Sequence, residues 1–371
     1  MKIGFFTMPL HPVRKDLSLS LAEDREAITL ADQLGYSEAF VGEHVSDRAE
    51  PITSSIVFLA SLAHVTSQIR LGTGTVNLPN GHPAAIAAQI ALLDHLLEGR
   101  LLFGISPGGL KSDMEVFDNL NADRTAMFLE CINQILGIWS GEPPYNLIGD
   151  YWTVSTAQSL IADIGQGEII KPLQKPHPPI FVSVVAPYSK GVASAAERGW
   201  KPISANFLQP RWVATHWPLY VQGCNAGGHP AAAADWRIAK SIFVAEDDAT
   251  AHRYVYGEGS PYALYFQQLM RKLFGAGRGE IFKHDREMPD SDVTLEYVLR
   301  SLVICGSVET VTRELLAFRQ SVGDFGTLLY AGHDWVDPVL AKRSMVLMAN
   351  EVMPRINAAI AAEGPRRAAA G

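Results

Sequence analysis

The chain has 371 residues, 47% of them hydrophobic, and a formal net charge of -8 at pH 7. An acidic chain without a basic run does not favour nucleic acid or an anionic membrane as a partner. The scattered Cys131, Cys224 and Cys305 predict neither a disulfide framework nor a zinc site, and no stretch is long enough for a signal peptide or membrane span, which predicts a soluble cytoplasmic protein.

Short apolar runs alternate with amphipathic segments along most of the chain. Strands are predicted over residues 2–8, 38–41, 69–76, 100–105, 179–185, 200–205, 236–244 and 327–330. Helices are predicted from Ser18 or Ser20 to Leu34, over 52–65, 83–99, 124–140, 189–198 and 210–225, after Gly306, and over 338–362. We expect residues 141–179 to form a long excursion or hairpin and residues 247–300 to form an insertion over the active rim. Residues 363–371 are expected to be a disordered tail.

The stretch from Ile69 to Asp113 is one strand, helix, strand unit, and such crossovers bring both strand ends to the same rim of a parallel sheet. The first strand ends at Gly74 and Thr75, and the second is followed by Gly108 and Gly109. Bare backbone at two neighbouring strand ends predicts a shelf for a flat cofactor. Tight turns alone are the alternative for either pair.

Eight strands alternating with helices predict a single (β/α)8 TIM barrel over residues 1–362, with insertions at 141–179 and 247–300. A doubly wound open sheet is the alternative. Its dinucleotide-binding version is disfavoured because no GxGxxG follows the first strand.

Polar residues at the predicted strand ends define the chemistry that the rim could support. They are His11, Glu43, His44, Ser106, Asp113, Ser204, His333 and Asp334. These residues do not cluster at metal-ligand spacing, no lysine is well placed for a Schiff base, and no GxSxG or Cys/His pair is present. We therefore expect no metal site, and the rim suits an enzyme whose cofactor supplies the reactivity.

Five blocks of sequence carry a family resemblance over nearly the whole chain. They are GFFTMPLHP, EAFVGEHVSD, IRLGTGTVNLPNGHP, ALLDHLLEGRLLFGISPGG and PPIFVSVVAPYSKGVASAAERGW. Together they resemble the bacterial luciferase-like flavin-dependent monooxygenases. The opening MPLHP and the PGG after the fourth strand look most like members of the limonene-monooxygenase and diketocamphane-monooxygenase types.

The resemblance implies a luciferase-like barrel that holds reduced FMN, supplied by a separate NAD(P)H-dependent flavin reductase. It implies reaction with O2 through a C4a-peroxyflavin and oxygenation of a hydrophobic small molecule such as a terpene, alicyclic ketone or long-chain compound. A homodimer is also implied. The alternatives are an F420-dependent oxidoreductase of the same superfamily, which would transfer hydride and ignore O2, and a non-catalytic flavin-binding protein.

His44 matches the catalytic histidine of the family's GEH block, and its expected role is to donate or accept a proton near the flavin. Asp113 matches a carboxylate that recurs beyond the fourth strand. Gly74 and Thr75 match the pair that packs under the isoalloxazine, often through a non-prolyl cis peptide. The alternatives are a histidine satisfied at a strand end for His44 and a helix N-terminal charge for Asp113.

One departure concerns the flavin phosphate, because Pro107 stands where luciferases have a phosphate-binding arginine. The expected replacement is the helix start at Tyr188, Ser189, Lys190 and Gly191, with ordinary capping by Ser189 as the alternative. The further residues expected at the cofactor are Ser106, Gly108, Gly109, Val185 and Ala186. The expected substrate wall comprises Phe6, Met8, His11, Leu78, Phe207 and Trp335.

Overall fold

The computed structural model describes residues 1–8 and 10–363, and its centre is a closed barrel of eight parallel strands. In chain order the barrel strands are β1 Lys2–Thr7, β2 Glu38–Val41, β3 Arg70–Thr73, β4 Leu101–Ser106, β5 Ile180–Val184, β6 Lys201–Ser204, β7 Arg237–Ala245 and β8 Thr327–Gly332. Each pairs with the next, and β8 pairs with β1 over six residues from Lys2 opposite Thr327 to Thr7 opposite Gly332. The predicted (β/α)8 barrel is confirmed.

Helices surround the barrel. Their bounds are Leu17–Gln33, Ser55–Ala60, Pro83–Leu96, Lys111–Val116, Arg124–Ser140, Lys190–Glu197, Pro210–Val213, His216–Gly227, Asp248–Tyr256, Pro261–Gly275, Leu295–Leu302, Val308–Val322, Pro338–Leu347 and Met353–Glu363. A π-helical turn, Met348–Val352, joins the last two. The predicted helix over 124–140 is confirmed, and it begins where the Asp123 carboxylate accepts hydrogen bonds from the amides of Thr125 and Ala126.

Several predicted boundaries were wrong. The first helix is capped by Asp16, whose side chain accepts from the amide of Leu19, and not by Ser18 or Ser20. The helix predicted over 52–65 covers only Ser55–Ala60, and Lys111–Val116 was not predicted at all. The last helix includes Glu363, while the rest of the predicted tail, 364–371, lies outside the described residues.

The two predicted insertions have defined structures. Residues 141–179 contain an antiparallel hairpin of Asn146–Ile148 and Thr153–Ser155. Residues 247–300 contain the helices 248–256 and 261–275 and the start of a third, and a strand that was not predicted follows at Val303–Ser307. This strand pairs with Ser241–Ala245, because β7 is nine residues long and its second half extends past its barrel neighbours.

The barrel interior is filled by its own apolar cluster, separate from the larger core between strands and helices. Its members are Phe6, Phe40, Leu102, Phe181, Ile203, Ala239 and Leu329. Below them, the Arg237 guanidinium donates from Nε and Nη2 to the two oxygens of Glu38, at 2.8 and 3.1 Å. The lumen is therefore a packed core, which leaves ligand binding to the rim at the carboxyl ends.

A buried ionic cluster joins the loop after β1 to the loop after β8. His11 Nδ1 lies 2.5 Å from Asp334 Oδ1, and its Nε2 lies 3.2 Å from Asp24 Oδ2. Lys15 Nζ donates to Glu23 and Asp334 at 2.6 and 2.5 Å. Both ring nitrogens of His11 are thus used within the protein, which corrects the expectation that His11 lines the substrate wall.

This cluster predicts a pH dependence of stability. Burial by itself lowers the pKa of His11, but the hydrogen bonds to Asp24 and Asp334 outweigh it and raise the pKa to about 9. The stabilisation by the protonated His11 ring is complete below its unfolded-state pKa of about 6.5 and is lost as the pH rises towards 9. We expect the free energy of unfolding to fall by up to about 3 kcal/mol across that window, measured by urea denaturation.

In His11→Gln the decline with rising pH should become much smaller, while His64→Gln, at an exposed position, should keep the wild-type profile. A His11→Gln protein that retains the full decline would show that the cluster is not its source.

Candidate active site

Barrel closure brings most of the predicted site residues to one rim. Gly42 to His44 follow β2, Gly74 and Thr75 follow β3, Ser106 to Gly109 end and follow β4, and Val185 to Gly191 follow β5. Gly42 and Gly74 are in close contact, since a Cβ built on Gly42 would lie 3.3 Å from the carbonyl oxygen of Gly74. The segment leading to His44 therefore lies directly beside the predicted shelf.

His44 and Asp113 form a hydrogen-bonded pair. His44 Nδ1 lies 3.0 Å from Asp113 Oδ2, and Asp113 Oδ1 accepts from the amide and hydroxyl of Ser46 at 2.8 and 2.5 Å. Burial alone would raise the pKa of Asp113, but the hydrogen bonds from His44 and Ser46 outweigh it and hold the pKa at about 2. Asp113 is therefore an ionised carboxylate that orients the His44 ring.

A second carboxylate faces the other nitrogen of the ring. His44 Nε2 lies 3.1 Å from Glu50 Oε2, and Lys272 Nζ donates to Glu50 Oε1 at 2.7 Å. Burial lowers the pKa of His44, but the Asp113 hydrogen bond and the Glu50 charge more than compensate, so the pKa is raised. Neither Glu50 nor Lys272 was selected from the sequence, because a loop fold brings Glu50 back to His44 and Lys272 lies 228 residues further along the chain.

The shelf after β3 has the backbone geometry that the resemblance implied. The peptide bond between Gly74 and Thr75 is cis. The Thr75 hydroxyl donates to Ser106 Oγ at 2.7 Å, and the Ser106 hydroxyl donates to Asn77 Oδ1 at 2.9 Å. This chain of hydrogen bonds ties the shelf to the end of β4.

Arg124 is a candidate site residue that the sequence reasoning missed. Its guanidinium donates to the carbonyl oxygen of Pro107 and to Asn119 Oδ1, and a Cβ on Gly108, where φ is +79°, would lie 2.6 Å from Nη2. Its Nε is buried and has no hydrogen-bond partner among the described residues. Helix 124–140 thus brings a guanidinium to the backbone of Pro107 and Gly108.

The predicted phosphate loop after β5 begins a helix but lacks a side-chain cap. Within the described chain, the side chain of Ser189 makes no capping hydrogen bond to helix 190–197. Tyr188 is exposed with φ +51°, and its amide donates to Thr215 Oγ1 at 3.0 Å. The alternative prediction, that the Ser189 side chain caps this helix, is therefore wrong.

A buried hydrogen-bond chain holds this loop in place. The Trp236 indole donates to Ser204 Oγ at 2.8 Å, Ser204 Oγ lies 2.8 Å from His216 Nδ1, and His216 Nε2 lies 3.0 Å from the carbonyl oxygen of Ala186. Burial lowers the pKa of His216 to about 4, so the ring is neutral and accepts at Nδ1 while donating at Nε2. Ser204, predicted as a rim residue, is the middle member of this series of hydrogen bonds.

Helix Pro261–Gly275, the covering helix, crosses the mouth of the barrel. At one end the Tyr265 hydroxyl donates to Asn206 Oδ1 at 3.1 Å, beyond β6, and at the other Lys272 binds Glu50, beyond β2. Because β2 and β6 are four strands apart in a barrel of eight, these contacts lie on opposite sides of the mouth. The ring of Tyr265 also lies 4.8 Å from the ring of buried His333.

The predicted substrate wall is only partly assembled. Met8, Phe6, Phe207 and Trp335 are half-buried around the barrel end, whereas Leu78 is fully buried in the core between strands and helices. Leu78 therefore cannot line an open wall, and its assignment is corrected. Glu43 was also predicted as a polar rim residue. Its carboxylate instead binds the start of helix Ser55–Ala60, where it accepts from the amide and hydroxyl of Ser55 at 2.8 and 2.6 Å.

The rim thus combines a histidine between two carboxylates, a glycine shelf and two cationic side chains, Arg124 beside the loop after β4 and Lys190 after β5. Such a site can hold a flat anionic cofactor and keep a proton beside it. Across the described residues, no helix is both long and apolar enough to cross a membrane.

Comparisons with known proteins agree with this geometry. The family profile described as luciferase-like monooxygenase matches residues 1–324. The chain is 32% identical to 4-hydroxyprotoasukamycin monooxygenase of Streptomyces nodosus subsp. asukaensis, over 97% of this chain and 93% of that protein. It is 28% identical to limonene 1,2-monooxygenase of Rhodococcus erythropolis, over 98% and 88%.

Among solved structures, the chain is similar to the oxygenating constituent of 3,6-diketocamphane monooxygenase from Pseudomonas putida, a type II Baeyer-Villiger monooxygenase in complex with FMN. The TM-score is 0.87 at 25% sequence identity, and the alignment covers 96% of this chain and 98% of that one.

Proposed function

The chain belongs to the luciferase-like monooxygenase family and is a flavin-dependent monooxygenase, and we propose that it is the oxygenase component of a two-component system that uses reduced FMN and O2. The observation that carries the proposal is the position of the His44–Asp113 pair beside the Gly74–Thr75 shelf. The similar 3,6-diketocamphane enzyme is described as an oxygenating constituent, which supports a separate flavin reductase as the partner.

FMN fits the residues present at the rim. Arg124 keeps a buried Nε without a partner in the described chain, and Ser189 and Lys190 open a helix without a side-chain cap, so phosphate oxygens would complete both groups. Gly74 and Thr75 would lie under the ring system, with Ser106, Gly108 and Gly109 beside it and Val185, Ala186, Tyr188 and Gly191 along the phosphate arm. When bound in its reduced form, FMN supplies the electrons that activate O2.

The protein's own residues then have distinct tasks. His44 holds a proton beside the shelf and can donate or accept it, while Asp113 fixes the ring orientation. The covering helix presents Tyr262 and Tyr265 towards strands β6 to β8 and limits water access to the mouth.

We propose that the substrate is a hydrophobic small molecule, with a terpene, alicyclic ketone or long-chain compound as the candidate classes. The half-buried Phe6, Met8, Phe207 and Trp335 support an apolar wall. The substrates named for similar proteins, limonene and a diketocamphane, are terpenoid.

We also propose a homodimer formed through two neighbouring helices, Ser55–Ala60 and Pro83–Leu96. These helices expose Val57, Leu92 and Leu96 to solvent. Large apolar side chains grouped on neighbouring helices are typical of surfaces that become buried on association.

The proposed chemistry is tested by reducing FMN anaerobically in the presence of the protein, admitting O2, and following absorbance by stopped flow. We expect the absorbance of oxidised flavin to return much more slowly than for free FMN. In His44→Asn, loss of the positioned proton should shorten this delay by about 100-fold, the lower range for general acid–base catalysis.

Unchanged delay in His44→Asn would remove the catalytic role of His44 while leaving the family and fold intact. Reoxidation at the rate of free FMN in the wild type would contradict the monooxygenase mechanism and favour the F420-dependent alternative, which is checked by hydride transfer to F420 under argon.

The phosphate assignment is tested by titrating FMN and riboflavin, which lacks the phosphate, and following flavin fluorescence. Ser189→Ala with Lys190→Ala, and separately Arg124→Gln, should weaken FMN binding by about tenfold or more, because each removes charged hydrogen bonds of roughly 1.5–3 kcal/mol. Riboflavin affinity should not change in either variant. Equal weakening of both flavins would assign these residues to fold maintenance.

The dimer is tested by sedimentation velocity. The wild type should sediment with twice the chain mass, and Leu92→Glu with Leu96→Glu should shift it to the monomer, since two charges would be buried without partners. Val339→Glu, at an exposed apolar position on another helix, is the control and should remain dimeric. A monomeric wild type would refute the dimer.

A further inference from the structure

The second carboxylate at His44 is unusual in how its charge is balanced. Glu50 is 4% exposed, and its Oε2 lies 3.1 Å from His44 Nε2. Among the described residues, this oxygen accepts no hydrogen bond of acceptable geometry. The other oxygen, Oε1, lies 2.7 Å from Lys272 Nζ, and Lys272 also contacts Asp47. Glu50 is therefore shared between the histidine and a lysine of the covering helix.

We propose that Glu50 is a positioning residue for His44, and that Lys272 sets how strongly Glu50 retains the proton on the His44 ring. The proposal rests on the proposed function for its catalytic meaning, but the charge coupling itself involves only residues of this chain. Its consequence is that the docking of the covering helix and the proton on His44 influence each other.

The other charged groups around His44 are held by partners of their own, which leaves Glu50 and Lys272 as the pair that sets the charge at His44 Nε2. Helix 111–116 contributes Asp113, which is held by Ser46 as well as by His44. The end of β2 contributes Glu43, whose carboxylate is engaged by Ser55, and the loop after β2 contributes Asp47, which contacts Lys272. Among the charged groups of the described residues, Glu50 is the one that faces His44 directly while being paired to a residue of the insertion.

The expected effects have opposite signs. Without the Glu50 charge, a positively charged His44 ring loses a nearby partner and releases its proton more readily, so the pKa falls. Without the Lys272 charge, Glu50 is no longer neutralised and holds the ring proton more tightly, so the pKa rises. These directions agree with the causes of the raised pKa of His44, to which Glu50 contributes positively and Lys272 negatively. General loosening of the site would move both variants in the same direction.

The test is a pH titration of the His44 ring by ¹H–¹⁵N NMR on the full-length, flavin-free protein, with the His44 signal assigned as the one missing from His44→Asn. We expect the titration midpoint to shift downward in Glu50→Gln and upward in Lys272→Met, and to return towards the wild-type value in Glu50→Asp. The matched control is Lys283→Met, which removes a lysine of the same insertion that pairs with Asp290 and does not contact His44. Its midpoint should be unchanged.

Shifts of the same sign in Glu50→Gln and Lys272→Met, or no shift in Lys272→Met, would overturn the proposal. If Glu50→Gln does not fold, as judged by thermal unfolding, the sign of the shift in Lys272→Met decides, because methionine keeps the apolar stem of a side chain that is 27% exposed. Failure of the flavin reaction would leave these midpoints unaffected, because no flavin or O2 enters the titration.

Discussion

Closure of the sheet between β8 and β1 is the constraint on which the rest of the molecule depends. A closed parallel barrel has no free edge, so each return connection must pass outside it, and every strand must deliver its carboxyl end to the same rim. The packed lumen cluster then prevents a ligand from entering the barrel itself. Glycines, charges and covering segments can therefore only accumulate at one face, where residues far apart in sequence become neighbours.

Within that frame, the charged groups of the site are neutralised by residues from distant segments. His44 is held by Asp113 and Glu50, Glu50 by Lys272, and His11 by Asp334 and Asp24. A buried charge without a partner would be costly, so these pairs stabilise the particular arrangement of loops that brings them together. The Glu50–Lys272 pair also gives the covering helix a defined place over the mouth.

Patterns that depend on local sequence were readable before the structure was known. Strand and helix alternation predicted the barrel, and the rim glycines and the GEH block indicated where His44, Gly74 and Thr75 would lie. Features set by tertiary contact were not readable. Arg124 reaches Pro107 across 17 residues, Lys272 reaches Glu50 across 222, and Val303–Ser307 becomes a strand only because β7 extends beyond its neighbours. His11 and Leu78 were misplaced because strand-end position does not determine which way a loop side chain is buried.

The hydrogen-bond chain from Trp236 through Ser204 and His216 to Ala186 gives His216 a structural task that differs from the proton-holding task of His44. His216 needs a bare Nδ1 to accept from Ser204, and with a pKa of about 4 it keeps that form throughout the ordinary cellular range. Acidification from about pH 6.5 to 4 lowers the free energy of unfolding, because His216 binds a proton in the unfolded chain at a pH where the folded ring stays neutral. The loop that would carry the cofactor therefore keeps these hydrogen bonds as the medium acidifies towards pH 4, whereas His44, whose pKa is raised, gains or loses a proton without breaking them.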